Sequence, residues 1–227
     1  KLNYSANIIY LEEHLQYLRN IAITTNKKWA EKLGIPQSTA ITCIKPSGTV
    51  SQLVDSASGI HTRHSPYYIR TVRADNKDPL TIFMKEHGIP NEPDVLKPDH
   101  TSVFSFPIKA DTKSKFRNDL SAINQLRIWK TYAEHWCEHK PSVTISVKES
   151  EWVQVGAWCW ENFDHLSGVS FLPYSDHTYK QAPYQEITSE EFRKARSKMP
   201  KKAIDWSLLK ELSLIHISEP TRLLSIS

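Results

Sequence analysis

Cysteine is scarce in this sequence, with Cys43, Cys137 and Cys159 the three residues of that type among 227. An odd number without any C-x-x-C spacing signals neither a disulfide framework nor a zinc ribbon, and it points to a reducing, cytoplasmic setting. Long apolar runs are missing too. No stretch approaches the roughly eighteen consecutive apolar residues of a membrane span, and the N-terminus lacks a charged region followed by an apolar one, so neither a membrane protein nor a secreted one is expected. Charge of one sign is nowhere concentrated. The formal net charge of +4 comes from Lys, Arg, Asp and Glu spread along the whole length, with no run of like charges that would make a nucleic-acid arm. Such mild basicity suits a small anionic ligand at least as well as a polyanion. Internal repeats and low-complexity tracts are absent, and the chain begins at Lys1 rather than methionine, from which a piece of a longer protein is expected.

What is present is an apolar fraction of 39% with seven Trp, enough for a real core in one large domain or two small ones. Residues 7–33 read as helix, with Leu11, Leu15, Leu18 and Ala22 on one stripe, a second segment around Trp29 and Leu33, and Gly34 and Pro36 as the stop. "STAITCI" (38–44) reads as a buried strand, "VSQLVDSA" as a short helix closed by Gly59, and "YYIRTVR" as a strand. "DPLTIFMKEHGIP" carries its own punctuation: Asp78 as N-cap, Pro79 at the first helical position, Gly88 just past the end and Pro90 beyond. "PNEPDVLKPDH" is expected to be a surface loop and "SVFSFPI" a strand. From Asp119 to His139 the set Ala122, Leu126, Trp129, Ala133 and Trp136 steps by four and three, as one face of a long helix must. "SVTISV" alternates like a strand, "EWVQVGAWCWENFDHL" is helical and "GVSFLPY" is a further strand. That alternation predicts an α/β fold, with right-handed crossovers and a mainly parallel sheet or barrel.

The chemistry concentrates in "KPSGTVSQLVDSASGIH", residues 45–61. A buried strand, a tight loop with Gly48 and a helix starting near Thr49 or Val50 would place several backbone N–H groups at a helix N-terminus, where anions bind. Ser47, Thr49 and Ser51 add hydroxyl donors, and Lys45 adds positive field. Phosphate is the natural occupant. The pattern is not the nucleotide-hydrolase P-loop, because the lysine precedes the loop and a proline follows it. On spacing alone, a Ser- or Thr-capped turn with no ligand explains "PSGT" equally well.

"CIKPSGTVSQLVDSASGIHTRHSPYYIRTVR" resembles the substrate-phosphate loop of ribonucleotide reductases. "CEHKPSVTISVKESEW" and "SGVSFLPYSDHTYKQAPYQEIT" resemble later strands and a helix of the same enzymes, in their adenosylcobalamin-dependent (class II) branch and its monomeric ribonucleoside-triphosphate reductase type. The resemblance runs from about residue 20 to about residue 211. It implies that residues 1–211 are the C-terminal part of the ten-stranded α/β barrel of ribonucleotide reductases. It further implies that Pro46, Ser47, Gly48, Thr49, Val50 and Ser51 bind the substrate's phosphates, mainly through backbone N–H groups. The implied cofactor is adenosylcobalamin, the substrate a ribonucleoside triphosphate and the reductant thioredoxin, reached through a C-terminal segment that this chain lacks. The whole enzyme would be an allosteric, cytoplasmic monomer that supplies deoxyribonucleotides for DNA replication, with no nucleic acid or membrane as partner.

The family's radical cysteine sits in an Asn-x-Cys-x-Glu loop, and no such motif occurs here. Cys43, Cys137 and Cys159 are therefore expected to be small buried hydrophobes, no residue of the chain is assigned a catalytic role, and the chain alone is predicted to be inactive. A non-catalytic phosphate- or nucleotide-binding module is the alternative, and a helix-rich interaction protein in which the loop is only a turn is a third. His135 and His139 lie four apart but lack the Glu that a zinc-protease helix needs beside the first His, so no metal site is assigned. His61, Arg63 and His64 either face the nucleotide or corrin or form a solvated turn. "LSLIHISEPTR" (212–222) resembles the translation of a transposon adapter used in DNA library preparation. Residues 212–227 are accordingly expected to be a non-native tail making few packed contacts.

Overall fold

The computed structural model describes residues 4–47, 50–111, 113–174 and 179–209, with side chains from Tyr10 onward. The expected non-native tail, 212–227, lies outside the described residues. In chain order the helices are α1 (Tyr4–Leu33), α2 (Val50–Leu53), α3 (Pro79–Glu86), α4 (Ala122–His135), α5 (Trp152–Glu161) and α6 (Ser189–Ser197). The strands are β1 (Tyr67–Asp75), β2 (Asn91–Pro93), β3 (Thr101–Lys109), β4 (Val143–Val147), β5 (Val169–Pro173) and β6 (Tyr184–Glu186). They divide between two compact units, one formed by residues 4–65 together with 111–174, the other by 66–110 together with 179–209.

The first unit is organised by α4. Ser121 caps it, its hydroxyl oxygen accepting from the Asn124 N–H, and the four-and-three spacing then turns Ala122, Leu126 and Trp129 onto one buried face. Val143, Ile145 and Val147 of β4 and Val155 of α5 complete that core, every second residue of β4 pointing into it. β4 and β5 pair in parallel, Val143 beside Val169 through Val147 beside Pro173, with α5 as the crossover between them. α1 is one continuous helix and meets α4 at its far end, where Gln16 Nε2 and His135 Nδ1 are 2.9 Å apart. Its expected stripe is only partly covered: Leu15 and Ala30 are buried, while Leu18, Trp29 and Leu33 are exposed.

Segment 38–44 is not the buried strand that its β-branched residues suggest. It joins no ladder among the described residues, and Thr42 alone of its side chains is buried. Its backbone is satisfied instead by the turn after α4. The N–H groups of Ile41 and Thr42 donate to the Glu138 carboxylate, the latter at 3.0 Å, and the Glu138 N–H donates to the Thr42 carbonyl at 2.8 Å. Trp136 Nε1 donates to the Cys43 carbonyl at 3.1 Å, and the Thr42 hydroxyl to the Trp136 carbonyl. One carboxylate thus performs the role of a neighbouring strand. The two amides, Ile41 first and Thr42 second, hold the Glu138 carboxyl below the usual glutamate range.

The second unit is a four-stranded sheet in the order β2-β3-β1-β6, antiparallel throughout. β1 and β3 run side by side from Tyr67 opposite Lys109 to Asp75 opposite Thr101. The expectation of a mainly parallel sheet therefore holds only for β4 and β5. The cause lies in the connection: α3 and β2 carry the chain back along the sheet, so β3 returns against β1 instead of crossing over to run beside it. α3 forms where its punctuation places it, with the Asp78 carboxylate accepting from the Leu80 N–H at 2.8 Å and Gly88 at φ +73°. The expected surface loop contains the short strand β2. Gln181 stands in the left-handed region at φ +61° and is held there by bonds from its amide to Glu92 and the Pro93 carbonyl, each at 2.8 Å. Arg73 spans the same corner, donating to Asp94 at 2.7 Å and to the Gln181 carbonyl at 3.1 Å. Among the described residues no closed barrel is formed, and no helix is long and apolar enough to cross a membrane.

Candidate functional site

The candidate anion loop leaves the Glu138-held segment at Lys45 and enters α2 at Val50. Lys45 and Pro46 are exposed; Gly48 and Thr49 lie outside the described residues. The Ser47 N–H donates to Ser58 Oγ at 2.9 Å, and the two hydroxyls are 3.2 Å apart. The Val50 N–H donates to the Ser47 carbonyl at 3.2 Å, while Ser51 is buried and its carbonyl accepts from the Ser56 N–H at 2.9 Å. Two of the candidate amides, those of Ser47 and Val50, are thus bonded within the loop, and Pro46 has no amide hydrogen to offer. α2 is a single turn of four residues, so it has few aligned peptide dipoles to contribute.

The loop is backed by the chain that follows it. Asp55 turns at φ +49° and Gly59 at φ +58°. A Cβ on Gly59 would stand 3.2 Å from the Lys45 carbonyl oxygen, so the two limbs meet backbone to backbone at that point. Arg63 is buried, 6% exposed, and its guanidinium donates to the Asp55 carboxylate at 2.7 Å. Its backbone pairs on both sides with 115–117, Arg63 N–H to the Lys115 carbonyl at 2.8 Å and Arg117 N–H to the Arg63 carbonyl at 3.0 Å. His61 is half-buried, and both ring nitrogens are engaged by protein: the Thr144 N–H of β4 lies 3.0 Å from Nε2, and the Ser58 carbonyl lies 2.6 Å from Nδ1. The buried Arg63 and half-buried His61 do not form the solvated turn that was one of their two sequence readings. They are struts within the first unit. The supporting roles of Ser58 and Glu138 escape sequence reasoning because their partners are remote along the chain; only the dense Ser-Gly-x-His spacing after the loop, residues 58–61, marks the spot.

The cysteines separate. Cys137 is buried, as expected, and burial pushes its thiol up to about 11 although the Ile44 N–H donates to the sulfur. Cys159 is half-buried and also pushed up by burial. Cys43 is exposed, against expectation, because the segment that carries it is not a strand inside a sheet. Among the described residues no cluster of His, Cys, Asp and Glu could hold a metal ion. In the second unit a cavity of about 510 Å³ has an apolar floor of Met84, Ile89, Phe106 and Trp206 and a basic rim of Arg196, Lys201 and Lys202, and none of the sequence-predicted site residues lines it.

No family model matches this chain. The adenosylcobalamin-dependent ribonucleoside-triphosphate reductase of Euglena gracilis is 32% identical to it over 172 residues, covering 75% of this chain and 24% of that protein. The enzyme of the same description from Lactobacillus gasseri is 29% identical over 184 residues, covering 78% of this chain and 24% of its own length. The chain therefore spans about a quarter of the length of these curated relatives. Among solved structures, a crystal structure of a B-12 dependent (class II) ribonucleotide reductase matches with a TM-score of 0.73 at 24% identity, over 92% of this chain and 29% of that one. The chain is thus homologous to part of the class II ribonucleotide reductases, and its mixed α/β fold matches part of one.

Proposed function

We propose that this chain is a portion of the catalytic barrel of an adenosylcobalamin-dependent ribonucleoside-triphosphate reductase and that its loop at 46–51 helps to hold the substrate's phosphates. The observation that carries the reading is the relatedness over three quarters of the chain, 75% in the Euglena gracilis comparison, to an enzyme with that printed activity. In this reading residues 1–211 belong to the barrel domain, residues 212–227 are a non-native tail, and the thioredoxin-linked segment and the radical cysteine lie in parts of the enzyme outside this chain.

The chain's own contribution is binding and orientation. With the Ser47 and Val50 amides committed inside the loop, an anion would be met by amides at Gly48, Thr49 and Ser51, by the hydroxyls of Ser47, Thr49 and Ser51, and by the field of Lys45. A phosphate held there fixes the far end of the nucleotide, so that the ribose is presented to groups elsewhere in the enzyme. Adenosylcobalamin, when bound to the whole enzyme, supplies the radical that starts the reduction. No residue of this chain is assigned to holding it.

The test is to extend the open reading frame upstream from the source DNA, express the longer protein and assay reduction of a ribonucleoside triphosphate with adenosylcobalamin and a dithiol. Turnover is expected. A longer protein that binds nucleotide and never reduces it would overturn the reading in favour of a non-catalytic nucleotide-binding module.

A further inference from the structure

We infer that His61 is the positioning residue of the 45–51 loop, a neutral imidazole in the Nδ1–H tautomer that ties the loop's returning limb to strand β4; this rests on the reading of that loop as a phosphate site. The tautomer follows from the two partners. Thr144 presents an N–H to Nε2 at 3.0 Å, so Nε2 must carry the lone pair. The Ser58 carbonyl at 2.6 Å from Nδ1 can only accept, so Nδ1 carries the proton. One residue thus accepts from the first strand of the βαβ unit and donates to the residue whose own hydroxyl receives the Ser47 N–H at 2.9 Å.

The consequence is a three-bond path from β4 to the loop: Thr144 to His61, His61 to Ser58, Ser58 to Ser47. β4 is the most deeply buried strand of its unit, with Ile145 and Val147 fully buried and Val143 nearly so. Among the loop's described residues Lys45, Pro46 and Val50 are exposed, and Ser51 alone is buried. Gly59 lets the path stay short, because its positive φ and missing Cβ bring the returning limb against the Lys45 carbonyl. A loop that must present amides to an anion gains affinity when they are fixed beforehand. His61 would supply that fixation without touching the ligand.

The experiment uses the whole 227-residue chain and three readouts. Nitrogen-15 spectra of the imidazole should show His61 protonated at Nδ1 and bare at Nε2; an Nε2–H ring would overturn the inference whatever else is found. Amide exchange should show Ser47 protected in the wild type and exposed several-fold faster in H61A, with H61N intermediate because its amide restores a donor to the Ser58 carbonyl. H61Q, which can replace only the acceptor facing Thr144, should behave like H61A. Binding of inorganic tripolyphosphate should weaken about tenfold in H61A and H61Q and less in H61N. Wild-type binding that H61A leaves unchanged, or Ser47 protection that H61A leaves unchanged, would overturn the positioning role. Loss of Ser47 protection in H61A together with no tripolyphosphate binding by the wild type would uphold His61 as the loop's anchor and overturn the phosphate reading.

Discussion

Trp129 and Pro141 are joined by a hydrogen bond from the indole Nε1 to the proline carbonyl at 3.0 Å, with the tryptophan completely buried. The helix that fills the core is thereby tied to the residue that leads into β4. Trp129→Phe keeps most of the apolar volume and strands a buried carbonyl, which costs about 1–3 kcal/mol; Trp129→Ala adds a large cavity and costs about 3–5 kcal/mol. Urea denaturation of the two variants should rank them in that order, and a Trp129→Phe variant as stable as the wild type would show that the bond contributes nothing.

The same carbonyl limits a second position. Gly168 stands at φ +69°, and a Cβ there would come within 2.6 Å of the Pro141 oxygen. Gly34 has nearly the same backbone, φ +65°, with nothing within 4 Å. Gly34→Ala should therefore lose only the left-handed preference, about 1–2 kcal/mol, whereas Gly168→Ala must also move the backbone between β4 and β5 and should lose at least twice as much. Midpoints of thermal unfolding compare them directly.

Glu138 makes stability depend on pH in a predictable direction. Its carboxyl is held low chiefly by the Ile41 and Thr42 amides, so the folded state binds a proton there less readily than the unfolded state does. The contribution is complete above the unfolded glutamate value of about 4.3 and disappears as pH falls through the lower folded value. Glu138→Gln should be less stable than the wild type at neutral pH, and the gap should close on acidification. A gap that is constant with pH would contradict the assignment.

Thiol chemistry should sort the cysteines. Cys43 is exposed, whereas Cys137 is buried with its thiol pushed up to about 11. Iodoacetamide at pH 8 should modify Cys43 first and leave Cys137 unreacted until denaturant is added, as read by peptide mass spectrometry. Simultaneous labelling of both would place the Cys137 segment on the surface.

Local signals were readable and remote ones were not. α3 was legible because Asp78, Pro79 and Gly88 act within one turn of the helix they bound, and α4 because the spacing of Ala122, Leu126 and Trp129 is itself the buried face. Segment 38–44 has strand-like residues, yet what satisfies its amides is Glu138, almost a hundred positions on, which no local pattern announces. Strand direction failed for a related reason, since alternation of helix and strand does not say whether a connection crosses over, and between β1 and β3 it does not. At the candidate site the loop's composition was plain, while its support by His61 depends on Thr144 in another strand.

The parallel pair β4 and β5 stands alone among the described residues, each strand with one neighbour. A two-stranded sheet is marginal on its own, and the outer side of β5 is a template for another extended segment, whereas on β4 the Thr144 N–H is already bonded to His61. At high protein concentration that β5 rim should recruit further chains, so that light scattering rises with concentration and falls when a charged residue replaces outward-facing Ser170. Handling this protein dilute is thus a requirement written into its hydrogen-bonding pattern.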